Sequence, residues 1–379
     1  MQVPFAKPYL KGHEGAAVAE AVASGWVSQG PRVREFEQRF AERVGAADAI
    51  AVTSCTTALH LALYVTGVGP GDEVIVPTMS FIASANSVWQ CGGTPVLVDV
   101  DPATYNIDPA QIEAAITPRT KAIMPVHQMG LPADMDPISE IAARHGLPIV
   151  EDAACAIGAS YKGRPIGSSE NLACFSLHPR KVITTGEGGM ITVPDGADTE
   201  RIRQLRQHAM SVSDLARHAA KDVIIESYPE RGWNYRMTDM QAALGLCQLE
   251  MLDEILELRR AQAERYSQAI ASMPFLEAPY EPEYAVRTWQ AYPVMLSPDA
   301  PLSRNELMRV LLQDGVPTRR GIMNIHEEES YAEPKLSLPQ AELASSQSLV
   351  LPLFAGLTEA EQDYVIDRLA AHVSALAAA

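Results

Sequence analysis

The chain has 379 residues, of which 47% are hydrophobic and 20% charged, a balance that suits a soluble globular protein too long for one small core. Thirty basic residues against 47 acidic ones leave a net charge of −17, which argues against a nucleic-acid partner and requires any anionic ligand to be met by a local site of N–H groups, hydroxyls and a few arginines. No uncharged apolar run reaches the roughly 18 residues of a membrane span; the first residues lack a signal-peptide pattern, and Cys55, Cys91, Cys155, Cys174 and Cys247 form no CxxC pair, so reduced thiols in a cytoplasmic protein are expected.

From residue 50 to 195 short apolar strands alternate with helices, the pattern of an α/β domain. Residues 48–52 read as a strand, followed by a helix carrying Leu59, Ala62 and Leu63 at helical spacing. Further strands are expected at 73–77, 95–100, 122–126, 148–152, 174–177 and 190–193, with helices at 81–91, 108–116 and 136–145. Their valine and isoleucine runs predict strands covered on both faces. Residues 238–270 form one long helical pattern, with Leu244, Leu249, Leu252, Ile255 and Leu258 along it. A second unit follows, with a strand at 289–296, a helix at 304–314, a last helix from 359 to about 375, and an alanine tail over 375–379 expected to fray.

Residues 175–189 carry the most chemistry. They set Lys181 on a short polar turn, with Ser176 five residues before it and Gly186, Gly188 and Gly189 after it. Twenty-nine residues upstream, Asp152 ends an apolar strand, the edge at which ligands sit in α/β sheets. A solvated turn lysine and a capping aspartate are the ordinary readings of each alone. Together they suit pyridoxal phosphate (PLP): the amine forms a Schiff base, and the carboxylate keeps the pyridine nitrogen protonated so that the ring can store an electron pair.

A phosphate cup is suggested where Thr53, Ser54, Thr56 and Thr57 join a strand to a helix, although a plain Ser/Thr cap uses the same residues. Phe81, just after a strand, is placed to stack on the ring or to fill the core. The run from His326 to Ser330 departs from a zinc helix at its fifth position, so no metal is expected, and neither a P-loop nor a GxSxG elbow occurs.

These residues resemble the DegT/StrS family of PLP-dependent sugar aminotransferases, of the fold type I (aspartate aminotransferase-like) group. Residues 25–31 with Glu37, 54–59, 71–77, 125–127, 130–136, 232–238 and 351–353 follow its motifs in order. The resemblance implies an α/β fold with a large domain over 14–250, built on a mostly parallel sheet, and a smaller C-terminal α+β domain over 251–379, with residues 1–13 packing against the latter. It implies Lys181 as the Schiff-base lysine and Asp152 as the ring-nitrogen partner. Thr56, Thr57 and Ser176 would hold the phosphate, Phe81 would stack on the ring, and Asn234 would reach the neighbouring subunit's cofactor in a homodimer with shared sites. By position in the family pattern, Trp26, the loop 206–228, Arg236, Arg320 and His326 are substrate contacts, with solvated or structural side chains as the alternative.

Two departures stand out. Cys155 occupies the position where the family usually has glutamine or histidine against the ring hydroxyl, and a thiol is a weak donor. Gln128 and Met129 replace a common leucine–tyrosine pair. Lys181 itself separates this chain from the branch that carries histidine there and dehydrates sugars. The expected activity is amino transfer from L-glutamate, through pyridoxamine phosphate, to a nucleotide-linked keto-sugar (4-keto-6-deoxy or 3-keto hexose). A keto-cyclitol acceptor, or a regulatory protein that has lost catalysis, are the alternatives.

Overall fold

The computed structural model describes residues 1–213, 217 and 220–377. Two helices, α1 (His13–Ala23) and α2 (Pro31–Val44), lead into β1 (Asp48–Val52), α3 (Cys55–Val65), β2 (Glu73–Pro77), α4 (Ala83–Gln90), β3 (Thr94–Val98), α5 (Pro109–Ala115), β4 (Thr120–Ile123), α6 (Met135–His145) and β5 (Val150–Asp152). A short hairpin, β6 (Ser160–Tyr161) and β7 (Arg164–Pro165), precedes β8 (Leu172–Ser176), β9 (Gly189–Val193) and α7 (Thr199–Leu205).

Strand β2 pairs in parallel with β3 and β4, and β5 pairs in parallel with β8. Parallel bridges between Ile123 and Ile149 and between Val126 and Asp152 join these groups. Strand β9 runs antiparallel between β8 and β1, giving one sheet in the order β3-β2-β4-β5-β8-β9-β1. Every residue of β2, β8 and β9 is buried, as expected for apolar strands with helices on both faces. The six parallel strands all end at one edge, and the loops that leave it carry the candidate site.

Helix α2 is fixed from a distance. Its N-terminal N–H groups, at Gly30 (2.8 Å), Arg32 (3.1 Å) and Val33 (3.0 Å), all donate to the fully buried carboxylate of Asp239. Buried Glu37 ties the same helix to β1 and α7. It accepts the Ala51 N–H (2.9 Å), Arg203 Nη1 (2.7 Å) and the Arg206 guanidinium.

Residues 238–270 form two helices rather than one, α8 (Asp239–Glu250) and α9 (Leu252–Ile270), broken at Met251 (φ −92°, ψ 1°). Met251, Leu252 and Ile255 pack into the core below the parallel sheet, whereas Ala263, Tyr266 and Ile270 pack into a second apolar cluster. The break lets the chain leave one core and enter the other. That second cluster lies around an antiparallel sheet, β10 (Leu276–Glu277), β12 (Tyr292–Leu296), β14 (Ser348–Leu351) and β13 (Arg319–Arg320) in spatial order. It is covered by α9, α10 (Arg304–Gln313) and α12 (Glu359–Ala377); β11 (Ala285–Val286) joins the β6–β7 hairpin, and α11 (Pro339–Gln347) precedes β14. Val3 joins this cluster, and its N–H donates to the Gly315 carbonyl at 3.0 Å. Of the tail expected to fray, Ala378 and Ala379 lie outside the described residues, while α12 continues to Ala377. No helix among the described residues is long and apolar enough to cross a membrane.

Asp239→Ala leaves the N–H groups of Gly30, Arg32 and Val33 at the start of α2 without that acceptor. It should lower unfolding stability by about 2 kcal/mol, read as a shift of the urea midpoint; a midpoint that does not move would contradict the capping role.

Candidate active site

Four elements converge at the carboxyl edge of the sheet: the end of β5, the end of β8 with the turn after it, the β1–α3 junction and the start of α4. Asp152 ends β5 and is only 5% exposed. Its Oδ2 accepts the Ser84 hydroxyl at 2.7 Å and its Oδ1 accepts the Ala154 N–H at 3.1 Å. Since Ser84 uses its own hydrogen on Asp152, its oxygen accepts from Ser80 at 2.7 Å. All these donors are neutral, and no ion pair reaches Asp152 among the described residues. A buried carboxylate so placed is costly until a cationic group meets it.

Lys181 sits in the turn after β8, with its N–H bonded to the His178 carbonyl at 2.8 Å. Its ammonium donates to Cys155 Sγ at 3.1 Å. Burial pulls that ammonium down, but the sulfur atoms of Cys155 and Cys55 and the charge of Asp152 outweigh it and hold the group above its usual value. Lysine, aspartate and two thiols thus share one small volume.

At the β1–α3 junction Ser54 adopts extended backbone and caps α3. Its Oγ accepts the Thr57 N–H at 3.2 Å, Thr57 Oγ1 accepts the Ser54 N–H at 3.1 Å, and the Thr57 hydroxyl donates to the Ser54 carbonyl at 2.8 Å. The Thr57 hydroxyl therefore serves the cap, whereas the first-turn N–H groups of Cys55 and Thr56 and the Thr56 hydroxyl find no acceptor among the described residues. Free N–H groups at a helix start are an anion site. A Cβ on Gly189 would lie 2.4 Å from the Ser54 carbonyl group and 2.7 Å from the Cys55 nitrogen, so only glycine lets β9 pass this loop. Ser176 closes β8 nearby, its Oγ accepting the His178 N–H at 3.5 Å. Phe81, at the start of α4 and three residues before Ser84, is 65% exposed and is not a core aromatic.

The remaining expected residues are spread more widely. His326 is buried; its Nδ1 lies 2.6 Å from Thr78 Oγ1 and its Nε2 3.4 Å from Glu342 Oε1, so it docks the 324–328 segment on the loop after β2. Arg320 is exposed and paired with Glu328 at 3.0 Å. Residues 233–236 run beside the end of β1, with the Tyr235 carbonyl accepting the Thr53 N–H at 3.0 Å. Trp233 meets His60 and Tyr64 of α3 edge-to-face, Tyr235 meets His60 edge-to-face, and the two rings stack on each other, while Asn234 between them is exposed. Arg236 and Trp26 are half-buried; Trp26 lies over Gly30, where a Cβ would meet its ring at 2.7 Å. Of the loop 206–228, residues 214–216 and 218–219 lie outside the described residues. No cluster among the described residues is built to hold a metal ion.

Sequence reasoning misses three supports of the site. Ser84 carries no motif signal. The segment 288–290 reaches in from the second sheet: Thr288 Oγ1 donates to the Cys155 carbonyl (2.9 Å) and Gln290 Nε2 to the Arg180 carbonyl (2.5 Å). Buried Arg259 braces that segment, donating to the carbonyls of Trp289 (3.0 Å) and Gln290 (3.4 Å), and Trp289 takes the unusual φ of 53°. Burial without a carboxylate partner lowers Arg259 to about 10. Behind Asp152, fully buried Glu151 accepts His127 Nε2 (3.0 Å), Ser169 Oγ (2.7 Å) and Asn171 Nδ2 (2.7 Å). His127 Nδ1 accepts the Ala133 N–H at 3.0 Å, which leaves Nε2 to carry the hydrogen aimed at Glu151.

Residues 8–370 match the DegT/DnrJ/EryC1/StrS aminotransferase family. The chain belongs to that family. A GDP-perosamine synthase of Caulobacter vibrioides is 44% identical over 371 residues, covering 97% of both chains. Among solved structures, DesV of S. venezuelae in complex with a ketimine intermediate superposes with a TM-score of 0.89 at 36% identity over 98% of each chain. A Streptococcus pneumoniae sugar aminotransferase in its PLP form gives 0.92 at 27% identity, over 99% of this chain and 100% of that one. Members of this family use PLP, and the residues present fit it. Asp152 is a buried carboxylate with no direct ion pair among the described residues, the Lys181 side chain is near enough to feel its charge, and the start of α3 offers unused N–H groups to a phosphate.

Burial pushes Glu151 up, but His127, Ser169 and Asn171 outweigh it and hold the carboxyl below its usual value. A lowered folded-state value stabilises the protein fully above the unfolded value of about 4.3 and loses that contribution as pH falls below it. Glu151→Gln should therefore cost stability at pH 7, by about 1–3 kcal/mol, with the gap to the parent narrowing only below about pH 4.3. Denaturant midpoints across that range check this, and a gap already closing at pH 6 would contradict it.

Proposed function

We propose that this PLP-dependent aminotransferase moves an amino group from L-glutamate to the keto carbon of a nucleotide-linked hexose, with Lys181 as covalent anchor and proton carrier and Asp152 as partner of the ring nitrogen. The buried Asp152 carboxylate, met only by neutral donors and close enough to Lys181 to act on its charge, is the observation that supports this most strongly. The 44% identity to a GDP-perosamine synthase favours a GDP-linked acceptor over a keto-cyclitol.

PLP supplies a ring that stores the electron pair released when the donor's α C–H bond breaks. Lys181 Nζ, once free of its covalent link, takes that proton as a general base and delivers one to the sugar carbon in the return half-reaction. Asp152 would hold the proton on the ring nitrogen from a dry site. Thr56, Ser176 and the first-turn N–H groups of α3 would hold the phosphate, while Thr57 fixes the shape of that turn. Phe81 would cover one face of the ring, and Cys155 would serve its hydroxyl.

The functional unit in this reading is a cytoplasmic homodimer. Exposed Asn234, on a segment anchored by Trp233 and Tyr235, supports a contact with the partner's cofactor. The loop 206–228 with Trp26, Arg236, Arg320 and His326 would bind the sugar nucleotide, whose diphosphate suits an arginine fork; Arg320 would exchange Glu328 for it. A large cofactor domain over 14–250 and a small domain over 251–379 agree with the two apolar clusters between which α9 runs.

Lys181→Ala should abolish turnover and leave no borohydride-fixed cofactor on the chain, and Asp152→Asn should lower kcat about 100-fold or more. Normal turnover in either variant would refute its role. Amination of a GDP-linked keto-sugar, compared directly with a keto-inositol, tests the acceptor; preference for the keto-inositol would replace the nucleotide-sugar reading.

A further inference from the structure

Cys155 and Lys181 form a contact that the transfer reaction does not require. The lysine ammonium lies 3.1 Å from Sγ, and both backbones are pinned by one segment. Thr288 holds the Cys155 carbonyl, and Gln290 holds the carbonyl of Arg180, next to Lys181. A Cβ on Gly130 would collide with Thr288 Oγ1 and lie 3.0 Å from the Cys155 carbonyl oxygen, so that hydrogen bond is closely packed. The thiol is partly exposed. The Lys181 ammonium lies directly against it, and accessible thiols beside a lysine are sites at which oxidation occurs.

We infer that Cys155 and Lys181 form an oxidation-driven covalent lock: peroxide converts Cys155 to a sulfenic acid, and Lys181 Nζ then closes on the sulfur to give a sulfenamide. In the first step the thiol takes one oxygen from hydrogen peroxide, sulfur is oxidised by two electrons, and water leaves. In the second the Lys181 ammonium first releases one proton to solvent; the nitrogen lone pair then forms the N–S bond, the S–O bond breaks, and the hydroxyl departs as water with a second proton from nitrogen. The product has two hydrogens fewer than the reduced pair, and a thiol reductant opens it again. Cys55 is the competing nucleophile, but its Sγ donates to the Cys174 carbonyl at 3.4 Å and burial pushes its thiol far up. The lock removes the amine that holds the cofactor. Cofactor-free protein is therefore the vulnerable form, and bound cofactor shields Lys181. The shielding and the loss of cofactor uptake rest on the proposed function; the crosslink itself does not.

Cofactor-free full-length protein treated with hydrogen peroxide and digested with trypsin tests the lock. A peptide of residues 145–162 joined to one of residues 181–201 is expected, two hydrogens lighter than the sum. It should vanish on dithiothreitol treatment and be absent from Cys155→Ser and from Lys181→Arg, but persist in Cys247→Ser. The locked protein should no longer take up PLP, read by absorbance, and should regain uptake after reduction. A Cys55–Cys155 disulfide, or sulfinic acid at Cys155 with Lys181 free, would overturn the inference. If the crosslink forms equally with PLP present, the lock stands and the assignment of Lys181 as cofactor anchor fails.

Discussion

A carboxylate buried with no direct ion pair among the described residues is the constraint around which this structure is arranged. Asp152 is removed from water by the parallel sheet and the start of α4, and only a serine hydroxyl and a backbone N–H answer it. Those two bonds fix both oxygens in direction without cancelling the charge. Such a group lowers the free energy of a protonated ring beside it, because a charge pair formed in a dry site is screened far less than one in water. Lys181 feels the same field, which adds to the larger effects of Cys155 and Cys55 in holding its ammonium above the usual value despite burial.

The rest of the fold keeps that carboxylate where it is. The back of β5 is held by Glu151, His127, Ser169 and Asn171, a network with each acceptor matched to a donor. The front is closed by a segment from the second sheet, whose strained Trp289 is held by buried Arg259. The two apolar cores are thus coupled through the turns bearing Cys155 and Lys181. A site that joins two units can respond to how they pack, and the thiol–amine contact lies at that junction.

Much of this was legible in the sequence because strand burial and strand-end chemistry are local signals. Valine and isoleucine runs located all seven strands of the main sheet to within a few residues, and Asp152 and Lys181 stood out as an acid and an amine at strand ends. What stayed hidden depended on partners far along the chain. Helix α2 has no side-chain cap of its own and is capped by Asp239, more than 200 residues away. Ser84 looks like any helix serine until β5 is placed beside it. The break at Met251 is invisible to periodicity, since leucines continue on both sides and only the change of core explains the bend. Thr56 and Thr57 read alike in sequence, yet the capping box takes the hydroxyl of one and leaves that of the other free.

The central claim is that Asp152 keeps the ring nitrogen of bound PLP protonated. Nitrogen-15 NMR of the protein loaded with PLP labelled at that nitrogen measures this directly. The account predicts a pyridinium shift that persists through neutral pH and is lost in Asp152→Asn. A neutral-pyridine shift in the parent protein at pH 7 would contradict it.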